Sequence, residues 1–174
     1  MAQRGLLIVY TGHGKGKTTA SLGLAMRAVG QGLKVIMIQF IKGGWKYGEL
    51  ATARRLAPDF QILPLGKGFT WEEKPAGEDE RAAQSALIKA REVIHSGEFG
   101  LVILDEINNA VQLGLVELKQ VLDLVKERPE RLHLVLTGRD AKREIMELAD
   151  LVTEMREIKH PFQKGILAVR GIEY

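Results

Sequence analysis

Between residues 12 and 19 the chain reads Gly12-His13-Gly14-Lys15-Gly16-Lys17-Thr18-Thr19, a run in which most residue types have a use toward phosphate. Glycines let successive backbone N–H groups point inward at phosphate oxygens, and a helix opening at the end of the run adds partial positive charge. Lys17 adds a full charge, and the Thr18 hydroxyl can ligate Mg²⁺. A flexible glycine turn that merely precedes a helix is the competing reading; the lysine, the two threonines and the apolar run before them weigh against it. One detail departs from the G-x-x-x-x-G-K-[ST] pattern: its first glycine should fall at position 11, which is Thr11. Gly12 comes one residue late, so the loop is effectively shorter by one, and its cradle need not hold phosphates in the order that a hydrolase uses. His13 reads as a solvent-facing loop residue rather than a catalyst.

Two further groups belong with this loop. Leu101 to Leu104 runs directly into Asp105-Glu106, and in a phosphate-loop fold a carboxylate at such a strand end meets the Mg²⁺ held by the loop threonine. In a hydrolase one acid serves the metal and the other orients water; in a transferase both can organise the metal and its waters. An acidic turn capping the next helix is the structural alternative. Thr137-Gly138-Arg139 follows the next apolar run and places a guanidinium at the same edge, suited to bidentate contact with a phosphate or, equally, to a plain surface position.

The elements that must position these groups are visible as continuous apolar runs: 6–10, 35–38, 101–104 and 132–136. Continuous rather than alternating runs mark strands buried on both faces. Helical periods follow near 17–31, 79–96, 117–128 and 140–148, and this alternation predicts an α/β fold of three layers with a mostly parallel central sheet. The segment from Gly43 to Gly77, punctuated by Pro58, Pro64 and Pro75, reads as a long excursion over the ligand edge of the sheet, with a short helix and a weak strand. Leu151 to Met155 and Gly165 to Val169 read as final strands. There is no internal repeat, low-complexity tract or linker.

With 174 residues, one domain, residues 1–174, is expected. Hydrophobic residues at 45% and charged residues at 27% exclude a disordered chain, and no apolar run approaches the roughly 20 residues needed to cross a bilayer. A start without a signal-peptide cleavage pattern leads to the expectation of a cytoplasmic protein with no membrane partner. Cysteine is absent, which removes disulfides, thiolate metal sites and cysteine nucleophiles. Lys and Arg total 25 against 22 acids, scattered rather than striped, so nucleic acid is not an expected partner.

Taken together, several stretches resemble one family, the P-loop ATP:corrinoid adenosyltransferases, which act on cobalamin and precursors such as cobyrinic acid a,c-diamide. They are Tyr10 through Thr19, Arg27 to Gly30, Gln39-Phe40-Ile41-Lys42-Gly43 with Trp45, Gly48-Glu49, Gly68-Phe69-Thr70-Trp71 and Leu104-Asp105-Glu106, then Thr137-Gly138-Arg139, Ala149-Asp150, Lys159-His160 and Gly171 to Tyr174. The resemblance spans nearly the whole chain. It implies a RecA-like P-loop fold in which the Co(I) of a reduced corrinoid attacks C5′ of ATP and expels the triphosphate. It implies ATP as co-substrate bound by Gly12, His13, Gly14, Lys15, Gly16, Lys17, Thr18 and Thr19, and Mg²⁺ held by Thr18, Glu106 and Asp105. Lys17 and Arg139 would neutralise charge, and Phe69 and Trp71 would pack near the corrinoid and displace its lower axial ligand. Without the resemblance, those two rings would be read as buried under a loop. A homodimer and an electron-donating reductase are also implied. Relatives commonly have Asn where this chain has His13, and many carry an N-terminal stretch that folds over the corrinoid site. The alternatives weighed are a RecA-like ATPase releasing ADP and phosphate, a nucleotide-binding regulatory module, and a nucleotide kinase.

Overall fold

The computed structural model describes residues 4–43, 47–68 and 77–174. Its centre is a six-stranded sheet built from β1 (Leu7–Thr11), β2 (Val35–Gln39), β3 (Phe60–Pro64), β4 (Leu101–Asp105), β5 (His133–Thr137) and β6 (Leu151–Glu154). The order is β3-β2-β4-β5-β1-β6, and every pairing is parallel. The expected mostly parallel sheet is thus wholly parallel among the described residues, and all strands point their C-terminal ends at one edge.

Helices α1 (Lys17–Gly30), α2 (Gly48–Arg55), α3 (Glu78–His95), α4 (Ile107–Gln112), α5 (Leu118–Glu127) and α6 (Arg143–Leu148) cover the sheet. Because side chains alternate across a strand, each apolar run feeds both faces. Leu7, Val9, Ile36, Ile38, Val102, Leu104, Leu134 and Leu136 pack with α3, α4, α5 and α6 residues in one cluster. Ile8, Val35, Met37, Leu101, Ile103 and Val135 pack with Ala25 and Ala28 of α1 and Ala53 of α2 in the other. The small residues of α1 let that helix lie close to the sheet, which fixes where its N-terminus meets the edge. In α3 the buried Ala83, Ala86, Leu87, Ala90, Val93 and Ile94 follow the three-four spacing of a core-facing stripe.

The excursion from Gly43 supplies α2 and β3, as its short helix and weak strand suggested. Gly165 to Val169 corrects the sequence reading: these residues form no strand. A 3-10 turn over Pro161–Lys164 closes with Gly165 N–H donating to Phe162 O at 2.9 Å and Ile166 N–H to Pro161 O at 3.2 Å. Ile166, Leu167 and Val169 then face solvent. The β-branched Ile166 and Val169 favour a strand only where a neighbour and a covered face are present, and this stretch has neither.

Candidate active site

The site lies where β1, β4, β5 and β2 end. β1 continues through Thr11, whose Oγ1 accepts a hydrogen bond from Ala141 N–H at 3.1 Å, and α1 opens at Lys17, leaving only residues 12–16 for the loop. Gly12 has φ +93°, and a Cβ there would stand 2.4 Å from Met155 O, so the turn off the strand admits glycine alone. Gly14 N–H then donates to Met155 O at 2.7 Å, seating the loop on the chain just beyond β6. Gly16 at the N-cap offers no side chain to the first turn of α1, whose N–H groups have no intrahelical partners. With no acid in that turn, the helix end is open to an anion.

Lys17 Nζ donates to Gly12 O at 2.7 Å and Gly14 O at 2.8 Å, folding back over the loop it would share with a ligand. Burial, with help from Arg139, holds its pKa below the usual lysine value. Next to it, Thr18 Oγ1 donates to Asp105 Oδ1 at 2.9 Å. Asp105 is fully buried and is the hub of the site. Thr137 Oγ1 donates to the same oxygen at 2.8 Å, and Gln39 Nε2 donates to Oδ2 at 3.2 Å. Sheet register explains this: Gln39 lies opposite Asp105, while Leu104 opposite Leu136 brings Thr137 to its other side. Thr137 also accepts Glu106 N–H at 2.9 Å.

Glu106 sits at the N-cap of α4 with left-handed backbone, φ 65°, and its side chain makes no capping bond. The capping alternative therefore does not hold. A glutamate in that conformation is strained, and its Oε2 is buried without a partner. Burial, reinforced by Asp105, pushes its pKa up to about 7. Arg139 is placed by backbone: its N–H donates to Asn109 Oδ1 at 2.9 Å, and a Cβ on Gly138 (φ +134°) would stand 2.5 Å from that oxygen.

A cleft of about 750 Å³ joins these groups, lined by His13 through Thr19 with Lys42, Glu106, Asn109, Arg139, Ile172 and Glu173. The structure thus gathers the phosphate run, Glu106 and Arg139 in one cavity and places Asp105 just beneath. His13 is largely exposed, as expected, and pairs with Asp140 at 3.0 Å. Phe69 and Trp71 lie outside the described residues. The sequence reading assigns no role to Gln39 and Thr137 around Asp105, to Lys42 and Asn109 in the cleft wall, or to Glu173, which forms an ion pair with Lys15. The signal for Gln39 and Lys42 is the place of Gln39 to Gly43 at the end of a strand, which puts them at the ligand edge.

A strand, a short glycine loop and an uncapped helix, with an acidic strand end one strand away, make this a P-loop nucleotide-binding protein of RecA-like fold. Solved structures agree on the fold: the flagellar accessory protein FlaH from Methanocaldococcus jannaschii is similar with TM-score 0.58 at 12% identity, over 87% of this chain and 71% of that one. The RadB recombinase gives 0.53 at 17%, over 90% and 77%. Residues 3–174 match the family description "ATP:corrinoid adenosyltransferase BtuR/CobO/CobP". Relatives named corrinoid adenosyltransferase are 43% identical in Sinorhizobium sp., over 99% of this chain and 81% of the relative, and 42% identical in Pseudomonas aeruginosa, over 99% and 85%. The Escherichia coli K12 relative is 40% identical over 99% and 87%. The chain belongs to the ATP:corrinoid adenosyltransferase family and is an enzyme that adenosylates corrinoids. No described helix is long and apolar enough to cross a membrane.

Proposed function

We propose that this enzyme transfers the 5′-deoxyadenosyl group of ATP to the Co(I) of a corrinoid and releases intact tripolyphosphate. The electron pair on Co(I) forms the Co–C5′ bond, the C5′–O bond breaks, and its pair leaves on the phosphate oxygen. No proton need be removed, so the protein's work is positioning and stabilising the departing polyanion. The observation that carries this reading is the loop: Thr11 remains part of β1, so the residue missing from the hydrolase pattern is not recovered by the fold.

On this reading residues 12–19 cradle the phosphates, while Lys17 leaves the loop carbonyls to join Arg139 against their charge. The donors also fit Mg²⁺, a hard cation that takes oxygen ligands: the Thr18 hydroxyl and the unpartnered Glu106 Oε2 would hold it, with Asp105 orienting Thr18. When bound, it would offset phosphate charge. Phe69 and Trp71 serve the corrinoid, a separate reductase supplies the electron that makes Co(I), and the whole chain acts as one domain in the cytoplasm. A homodimer is supported by the edge strand β6, where Leu151 and Val152 are exposed.

A second reading has one observation in its favour: a glutamate with a pKa of about 7 suits a base toward water, as an ATPase would use. Family membership weighs against it. Incubation with ATP, Mg²⁺ and chemically generated cob(I)alamin, followed by product analysis, separates the two. Tripolyphosphate and adenosylated corrinoid are expected; ADP and phosphate without either would sink the transferase reading.

A further inference from the structure

Lys42 stands three residues beyond the end of β2 and contributes to the wall of the phosphate cleft. Its side chain is only 19% exposed and is surrounded by acids: Asp105 Oδ2 at 3.5 Å and Glu49 Oε1 at 3.8 Å. The Tyr47 ring lies below it, 5.1 Å from Nζ to the centroid. Burial alone would lower its pKa, but Asp105, Glu106 and Glu49 outweigh burial and hold it above the usual value. The ammonium is therefore charged at any physiological pH. Neither acid contact has hydrogen-bond geometry, so among the described residues this mostly buried cation makes no hydrogen bond. A lysine ammonium has three donors, and leaving them unused in a mostly buried position is costly; Lys42 lines the cleft, where a ligand could take them up.

Sheet order gives this cation a particular place. β4 lies between β2 and β5, so Lys42 and Arg139 flank the acidic end of β4 from opposite sides, and the Lys17 loop follows β1, beyond β5. Resting on the proposed transferase reading, we propose that Lys42 is a catalytic residue that donates to the triphosphate on the side away from Arg139 and stabilises it as it departs. The balance is that of the transfer itself. As C5′–O breaks and its electron pair passes to the phosphate oxygen, negative charge grows on the leaving group, and a preplaced ammonium gains most at that moment.

The test compares Lys42→Gln, a neutral polar side chain one atom shorter, with Lys42→Arg and Lys42→Met, each checked for folding by thermal melt. For Lys42→Gln, kcat should fall about a hundredfold, the loss typical of one removed donor to developing charge, while the KM for ATP moves by less than about threefold. Calorimetric binding of sodium tripolyphosphate should weaken about tenfold, and Lys42→Arg should recover much of both. A residue that merely neutralises Asp105 would shift the melt and leave tripolyphosphate binding unchanged, and that result overturns the proposal, as does near-normal kcat in a folded Lys42→Gln. Should the neutral variants fail to fold, acetylation of the wild-type protein, mapped by mass spectrometry, decides the matter: tripolyphosphate must slow labelling at Lys42 several-fold, and undiminished labelling refutes the contact. Wild-type product analysis comes first. If it yields no tripolyphosphate, the transferase reading fails and this assignment with it; if it does and Lys42→Gln turns over normally, only the assignment fails.

Discussion

Replacing Glu106 with Gln tests whether its buried carboxyl is held for a cation. In the nucleotide-free protein its pKa rises from an ordinary 4.5 to about 7, through burial first and Asp105 second. A folded-state pKa above the unfolded one means that the fold prefers the protonated acid. Below pH 4.5 both states carry the proton and nothing is lost; between 4.5 and about 7 the unfolded chain binds fewer protons, so stability falls as pH rises. At about 1.4 kcal/mol per pH unit, the loss across that window is about 3 kcal/mol. A glutamine amide never ionises, so the Glu106→Gln variant should lack this component. Urea denaturation of both proteins at pH 5 and pH 8, without metal or nucleotide, isolates it: part of the loss is already present at pH 5, so the wild type should lose about 2.5 kcal/mol relative to Glu106→Gln on going from pH 5 to pH 8. If the difference between the two proteins is the same at both pH values, the carboxyl is not desolvated as described. A second consequence follows at pH 6.5, where the acid is partly protonated: binding of Mg²⁺ with ATP should release a proton, read as a dependence of calorimetric heat on buffer ionisation enthalpy, and Glu106→Gln should abolish it.

Two further substitutions probe the walls of the cleft. Gly138→Ala forces a Cβ to 2.5 Å from Asn109 Oδ1 at φ +134°, so it should cost roughly 1–3 kcal/mol of stability by urea denaturation and, by displacing Arg139, raise the KM for ATP; unchanged values in both would mean that the loop adapts freely. Glu173→Gln removes a carboxylate paired with Lys15 at the mouth of the cleft. Since a partly exposed pair is worth little and the carboxylate repels phosphate, ATP should bind up to about fivefold tighter by calorimetry, and weaker binding would show instead that Glu173 contacts the nucleotide.

Legibility followed how local each signal is. The phosphate loop, the four strong strands and the acidic pair are set by residues adjacent in sequence, and all appear where the residue pattern put them. Gln39, Thr137 and Lys42 depend on which strands are neighbours: nothing local says that β5 is inserted between β1 and β4, or that β2 lies on the far side of β4. Glu173 reaches Lys15 across nearly the whole chain, a contact made by an irregular tail with no period to read. The error at Gly165 to Val169 has the opposite origin, a local strand preference with no sheet edge to receive it.

The same long-range register separates the two acids, whose roles the residue pattern left open. Asp105 has 0% exposure, with Oδ1 accepting from Thr18 and Thr137 and Oδ2 from Gln39. Such an anion orients its donors and has little left for a ligand. Glu106 is the reverse: its backbone is fixed by Thr137, yet its Oε2 is buried and unbonded, a state that costs free energy unless a cation arrives. On the proposed reading, Asp105 therefore acts through the Thr18 hydroxyl it holds, and Glu106 meets the metal directly. Thr137 links the two, so the phosphate loop, Glu106 and the Arg139 turn share one hydrogen-bonded support.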